Sequence, residues 1–363
     1  MNIMYRRFEV YNFRCFKALK LNDLARVNLI AGSNNIGKTA LLEALFIHAG
    51  RHNPEITLRV NAFRGIDIVK VEFGPIGETP WDPIFTDFDS LKIIKLVGVD
   101  DKNGSRTIHL RVIREPTELA KISHSVLPVK NRYKSTPLTS EISRVLELKC
   151  EEKGKVTRHF MIFSPKGPEI MPIPPPPPFK GIFLAVGTPL HSTEEAQRFG
   201  NLVRHKKEEI LLNILKIIEP RLTSLALIPV GDKLVIHGDT GMGKMIPLPL
   251  LGAGMVRLTR LVLAISDAEN GIVLVDEIEN GIHHSVLPEI WHAIREATQQ
   301  FNTQLFATTH SFECIVAAHK TFEKQEPYDF RLHRLERING RIKAITYDKE
   351  TLSAAIETEL EVR

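Results

Sequence analysis

VNLIAGSNNIGKTALLEALF, from Val27 to Phe46, is the stretch on which the fold turns. RVNLIAG is a nearly continuous apolar run of strand type. TALLEALFIHAG places Leu41, Leu42, Leu45 and Phe46 at helical spacing and ends at Gly50. Between strand and helix lies Gly32-x-x-x-x-Gly37-Lys38-Thr39, a complete phosphate-loop pattern in the context that such a loop needs. The glycines let backbone N–H groups wrap phosphate oxygens at a helix N-terminus. Lys38 reaches the β and γ oxygens, and Thr39 offers its hydroxyl to Mg2+. Asn34 and Asn35 lie inside the loop and join Gly32, Gly37, Lys38 and Thr39 as expected ATP contacts. The stretch predicts an α/β chain of the P-loop NTPase type.

A second stretch, GDTGMGKM, reads Gly238-x-x-x-x-Gly243-Lys244 and serves as a control. Met245 stands where a hydroxyl should meet the metal, and the loop falls between two strand-like runs with no helix after it. A glycine-rich hairpin turn explains it.

A phosphate loop needs an acidic partner for the metal, and GIVLVDEIENGIHH supplies one. Ile272, Val273, Leu274 and Val275 form a continuous apolar run, as a central parallel strand does, and it ends in Asp276-Glu277. Carboxylates at the C-terminal edge of such a sheet lie where ligands bind. Asp276 is therefore expected to hold Mg2+ together with Thr39, and Glu277 to polarise the attacking water. One strand later, TQLFATTHS brings His310 to the same sheet edge, in reach of a γ-phosphate.

The rest of the chain alternates two textures. RRFEVYNF, ALKLNDL, SLKIIKLVGV, TIHLRVI and VLELKC read as strands, and MPIPPPPPF (Met171–Phe179) as a stiff, extended surface connector. STEEAQRFGNLVRHKKEEILLNILKII reads as helix, LTSLALIPV and KLVIHG as strands. A helix is expected from about Met255 to Ala268, another over Ser285–Gln300 and a third from Ser311. Strand and helix alternating through the last third predict a mostly parallel core sheet, with an antiparallel β-subdomain and a helical insertion before it. The expected division is 1–97, an N-terminal ATPase lobe, 98–190, a β-rich insertion with the polyproline connector, and 191–363, a helical segment with the C-terminal lobe.

The 363 residues are 43% hydrophobic and 25% charged, a composition for a chain with a substantial core, and the formal net charge is +5. That is mildly basic, compatible with nucleic acid without requiring it. Cys15, Cys150 and Cys314 are scattered with no metal-site or disulfide spacing, which fits a cytoplasmic location. No apolar run follows Arg6 and Arg7 as a signal peptide would, and none is long enough to span a bilayer, so no membrane association is expected.

These motifs together resemble the ABC-type ATPases of the RecF/SMC-like kind, and within them the ATPase module of the OLD (overcoming lysogenization defect) family and its stand-alone relatives in anti-phage systems. GSNNIGKTALLEAL is similar to that family's Walker A, LVDEIENGIHHSVLPEIW to its Walker B and D-loop, and FATTHS to its H-loop. PLLGAGMVRLTRLVLAI resembles the signature segment, with Gly252-Ala253-Gly254 in the signature place. The resemblance implies an ABC ATPase head that forms a homodimer, in which Gly252 and Gly254 face the nucleotide bound by the other subunit. Two departures stand out. The only glutamine between Walker A and signature is Gln197, in an expected helix, so no Q-loop glutamine is assigned. The chain also ends soon after KAITYDKETLSAAIETELEVR, so the TOPRIM nuclease domain of OLD proteins is not expected.

The expected function is an ATP-hydrolysing sensor or clamp, acting on DNA without sequence preference and driving a separate effector encoded nearby. The alternatives are a RecF-like repair loader and a scaffold that holds ATP without turnover. Three basic clusters are candidates for DNA contact: Arg204 to Lys207 with Arg198 before them, Lys130 to Lys134, and Arg331 to Arg341. Glu208 and Glu209 follow the first as possible charge partners.

Overall fold

A computed structural model describes residues 3–66, 79–101, 104–115, 117–119, 122, 144–164, 167–186 and 192–363. In chain order its strands are β1 (Arg7–Phe13), β2 (Phe16–Leu21), β3 (Val27–Gly32), β4 (Ile94–Asp100), β5 (Gly104–Ile113), β6 (Arg144–Glu152), β7 (Lys155–Ser164), β8 (Gly167–Met171), β9 (Gly181–Leu184), β10 (Ser224–Val230), β11 (Lys233–Asp239), β12 (Ile246–Pro247), β13 (Ile272–Val275), β14 (Gln304–Thr308), β15 (Phe330–Ile338) and β16 (Arg341–Tyr347). The helices are α1 (Lys38–Ala49), α2 (Ile56–Ala62), α3 (Ser192–Arg204), α4 (Glu208–Leu215), α5 (Ala253–Asp267), α6 (Leu287–Gln300), α7 (Phe312–Glu323) and α8 (Lys349–Glu357).

The core sheet has the order β16-β15-β3-β14-β13-β9. Every neighbouring pair in it is parallel except β15 with β16. A second sheet, β2-β1-β4-β5-β6-β7-β8, is antiparallel throughout, and β10-β11-β12 form a small third one. The α/β class with a mostly parallel core sheet thus stands as expected.

Period-two alternation along the central strands divides the core. Val27 and Leu29 of β3, Val273 and Val275 of β13 and Leu305 of β14 point to the face packed by α5, α6 and α7. Ile30, Ile272, Leu274 and Phe306 point to the other face, where α1 lies between the two large sheets. Leu41, Leu42, Leu45 and Ile47 of α1 are all fully buried, so this helix is held by packing on every side.

Parallel register carries the C-terminal ends of β3, β14 and β13 to one edge. Ile30 pairs with Thr308, and Ala307 with Val275, so the residues after each strand emerge side by side. The polyproline segment runs exposed from β8 in the antiparallel sheet to β9 in the parallel one, as a connector between sheets. The second glycine-rich stretch is a hairpin turn between β11 and β12, where Gly238 pairs with Ile246.

β4 runs through residues 97 and 98, where a boundary is expected, and pairs with β1 on one side and β5 on the other. The N-terminal strands and the expected insertion are therefore one continuous sheet. The long helix expected from Ser192 is two helices, broken at His205–Lys207, where Lys206 takes φ 56. Helix α5 begins at Ala253, two residues before the expected Met255. Among the described residues, no helix is long and apolar enough to cross a membrane.

Candidate nucleotide site

The loop after β3 has two glycines that nothing else could replace. Gly32 has φ 140, and a Cβ there would lie 2.6 Å from the Leu335 carbonyl oxygen of β15. Gly37, at φ 106, would place a Cβ 2.5 Å from Cys15 Sγ. So the second glycine is required by the packing of the β1–β2 turn as well as by any phosphate. Lys38 opens α1 and is only 6% exposed. Its ammonium donates to the carbonyls of Gly32 (2.6 Å) and Ser33 (3.0 Å) and to His310 Nδ1 at 3.2 Å. Burial lowers its pKa, while the nearby Asp276, Glu277 and Glu279 carboxylates pull the other way.

Because an ammonium only donates, Nδ1 of His310 is the acceptor and its hydrogen sits on Nε2. That Nε2 faces Glu277 Oε1 at 3.6 Å. The His310 backbone N–H is itself held by Glu279 Oε1 at 2.7 Å.

Asp276 follows β13 and meets two hydroxyls. Thr39 Oγ1 donates to its carboxylate at 2.9 and 3.1 Å, and Thr308 Oγ1 at 2.6 Å. Glu277 has φ 48, and its N–H donates to Thr308 Oγ1 at 2.8 Å. Thr39 and Asp276 are hard oxygen donors beside a phosphate loop, the set Mg2+ takes when substrate phosphates complete its shell. Among the described residues no cluster of three or more His, Cys, Asp or Glu side chains competes as a metal cage.

These groups open into a cleft of about 840 Å³, lined by Asn34, Asn35, Gly37, Lys38, Thr39, Glu277 and His310. Arg14, Cys15, Arg64, Phe85, Asp87 and Phe88 also line it. Arg14 (3.0 Å) and Arg64 (2.6 Å) share Glu43 of α1, whose side chain is fully buried. Burial raises the Cys15 thiol and pushes Cys150 to about 11 and Cys314 to about 12, so all three are neutral thiols.

Gly252 and Gly254 lie elsewhere. Gly252, at φ 113, precedes α5 and is exposed, and a Cβ on either glycine would meet nothing within 4 Å. Neither lines the cleft around Lys38. Gln197 lies in α3 and lines a different cavity with Lys180 and Arg198.

The basic clusters fare unequally. Arg198 is buried and paired with Glu194 and Asp267, and Lys207 is paired with Glu269 at 2.8 Å. Arg204 and Lys206 are exposed, as are Arg337 and Arg341. Residues 130–134 lie outside the described residues.

Three site residues have no clear mark in the sequence. Thr308 is legible only as one of two threonines before His310. Arg257, one turn into α5, donates to the carbonyls of Asp276 (3.2 Å) and Glu277 (3.0 Å), joining the helix behind Gly252 to the acidic pair. Arg14 reaches the cleft by tertiary packing alone.

Comparison with known proteins agrees with this geometry. Residues 27–315 match the family model described as "AAA domain, putative AbiEii toxin, Type IV TA system". An "ATP/GTP phosphatase" of Helicobacter pylori is 24% identical over 382 residues, covering 98% of this chain and 99% of that protein. The DNA replication and repair protein RecF of Nitrosococcus oceani is 31% identical over 85 residues, 19% of this chain and 23% of that one. Among solved structures, an Smc head bound to the C-winged helix domain of ScpA aligns over 98% of this chain and 100% of its own, with a TM-score of 0.49 and 12% identity. The chain belongs to the AAA domain family whose model matches residues 27–315, and it is an ATPase.

Proposed function

We propose that this ATPase takes ATP with Mg2+ into the cleft and that a second copy closes over it head to tail. Lys38 and the loop N–H groups hold the β and γ phosphates, and Thr39 and Asp276 hold the metal. Bound Mg2+ supplies charge neutralisation on the β and γ oxygens. Glu277 orients and deprotonates water, with Arg257 and Thr308 fixing its backbone. His310 presents Nε2–H to the γ-phosphate. The observation that carries the reading is the convergence of Lys38, Thr39, Glu277 and His310 in one cleft, with Asp276 bonded to Thr39, while Gly252 is exposed and Gly254 half-buried outside it. Glycines at a helix start offer backbone donors and a positive dipole end to another copy's phosphate.

In this proposal the closed dimer is a cytoplasmic sensor or clamp of the OLD-like, anti-phage type that contacts DNA through phosphates and controls a separate effector. Arg204 at the end of α3 and Lys206 in the break after it are exposed and, among the described residues, carry no ion pair. Changing both to Glu should weaken DNA binding and flatten its salt dependence, with ATP turnover kept. A RecF-like repair loader is the second reading, favoured by the stretch similar to Nitrosococcus oceani RecF.

The test is phosphate release by the purified chain, with and without DNA. Glu277→Gln should keep ATP bound and slow turnover by on the order of a hundredfold, the scale of a positioned base. A wild-type chain that binds ATP and releases no phosphate under either condition would leave the non-hydrolysing scaffold.

A further inference from the structure

Phe88 lines the same cleft as Lys38 and is 73% exposed, an unusual position for a large aromatic side chain. Its backbone is as unusual. Asp87 (φ 61) and Phe88 (φ 57) are consecutive non-glycine residues in the left-handed region, where a bulky side chain is strained. Strain of this kind persists only where neighbours enforce it, and it gathers at ligand sites. Here the neighbours are fixed. Phe85 bridges to Phe13, the Arg14 N–H donates to the Ile84 carbonyl at 2.9 Å, and the Thr86 hydroxyl donates to the Phe16 carbonyl at 3.1 Å.

The position along the cleft points to the ligand. Glu277 and His310 come off β13 and β14 and mark the γ-phosphate end. Gly37 packs on Cys15, Arg14 adjoins it, and Ile84, Phe85 and Thr86 are bonded to the strands and turn around Arg14. A triphosphate with its γ end at His310 and its chain along Lys38 and Thr39 sends its nucleoside toward Phe88.

Resting on the reading of this cleft as a nucleotide site, we propose that Phe88 is the platform on which the purine base stacks. Every purine offers a π-face, so the platform accepts adenine and guanine alike. Asp87, the polar group beside it, is already committed to Lys92 at 3.0 Å. The platform then does not select ATP over GTP.

The experiment is calorimetric binding of ATP, GTP and inorganic tripolyphosphate, each with Mg2+, to the full chain and to Phe88→Ala and Phe88→Trp. Phe88 is exposed, so neither change opens the core. The expected result is a loss of about tenfold or more for ATP and GTP in Phe88→Ala, tripolyphosphate unchanged, and affinity regained in Phe88→Trp. Unchanged ATP affinity in Phe88→Ala overturns the inference, and so does an equal loss for nucleotides and tripolyphosphate. A wild-type chain that binds tripolyphosphate as tightly as ATP removes the platform while leaving the phosphate site. One that binds neither removes the nucleotide reading of the cleft and this inference with it.

Discussion

The Thr39 hydroxyl donates to both carboxylate oxygens of Asp276, at 2.9 and 3.1 Å, across 237 residues of sequence. In the core sheet β14 lies between their strands, so the pair meets only because β3, β14 and β13 share one register. Thr308 at the end of β14 closes the gap from the middle, donating to Asp276 and accepting from Glu277. The two residues proposed to hold the metal are thus aimed by the sheet itself.

Thr308→Val should show how far that aiming matters. The change keeps the shape and removes the hydroxyl, leaving the Glu277 N–H and one Asp276 oxygen without it. A stability loss of about 1–3 kcal/mol is expected in urea unfolding. Turnover should fall and need more Mg2+ to saturate. Wild-type Mg2+ dependence in the variant would mean that Asp276 is held well enough without it.

Glu43 pairs with both Arg14 and Arg64 and is fully buried, with Arg14 nearly so. Glu43→Ala leaves a buried guanidinium without its charge partner and should cost about 3–5 kcal/mol. Arg64→Ala, which removes the more exposed partner, should cost much less. Thermal or urea unfolding of the two variants measures the difference, and equal losses would contradict the assignment.

How much of this was legible in sequence depends on the range of the interaction. The β3–loop–α1 unit and the strand before Asp276 are local patterns, and both stand as read. The helix break at Lys206 carries no glycine or proline, so a backbone turn at φ 56 left no trace in the pattern. The pairing of β4 with β1, far apart in sequence, was not legible, because local periodicity cannot report which strand a strand will choose. Arg14, Arg257 and Thr308 are ordinary residues locally, and only tertiary placement makes them site residues.

Acid should destabilise the chain through its buried histidines. His333, fully buried against Thr346 and Asn28, is lowered by burial to about 3, and burial also lowers His48. Above about pH 6.5 both folded and unfolded imidazoles are neutral and this stability is fully present. As pH falls below that value the unfolded chain takes the proton and the folded one does not, so stability is lost down toward the folded pKa. Each such histidine contributes up to about 1.4 kcal/mol per pH unit. Urea midpoints at pH 7.5 and 5 should drop for wild type and drop less for His333→Gln, and parallel drops would refute the role of His333.

The central claim is that a second copy completes the nucleotide site through Gly252 and Gly254, and light scattering on the Glu277→Gln chain tests it most directly. Asp is tolerated in the first turn of α5, and nothing lies within 4 Å of a Cβ on Gly254, so Gly254→Asp changes the charge offered to a partner's phosphate without disturbing the fold. The account predicts a dimer mass for Glu277→Gln with ATP and Mg2+, a monomer mass with ADP, and a monomer in both once Gly254→Asp is added. The same mass in every nucleotide state, with or without Gly254→Asp, would contradict it.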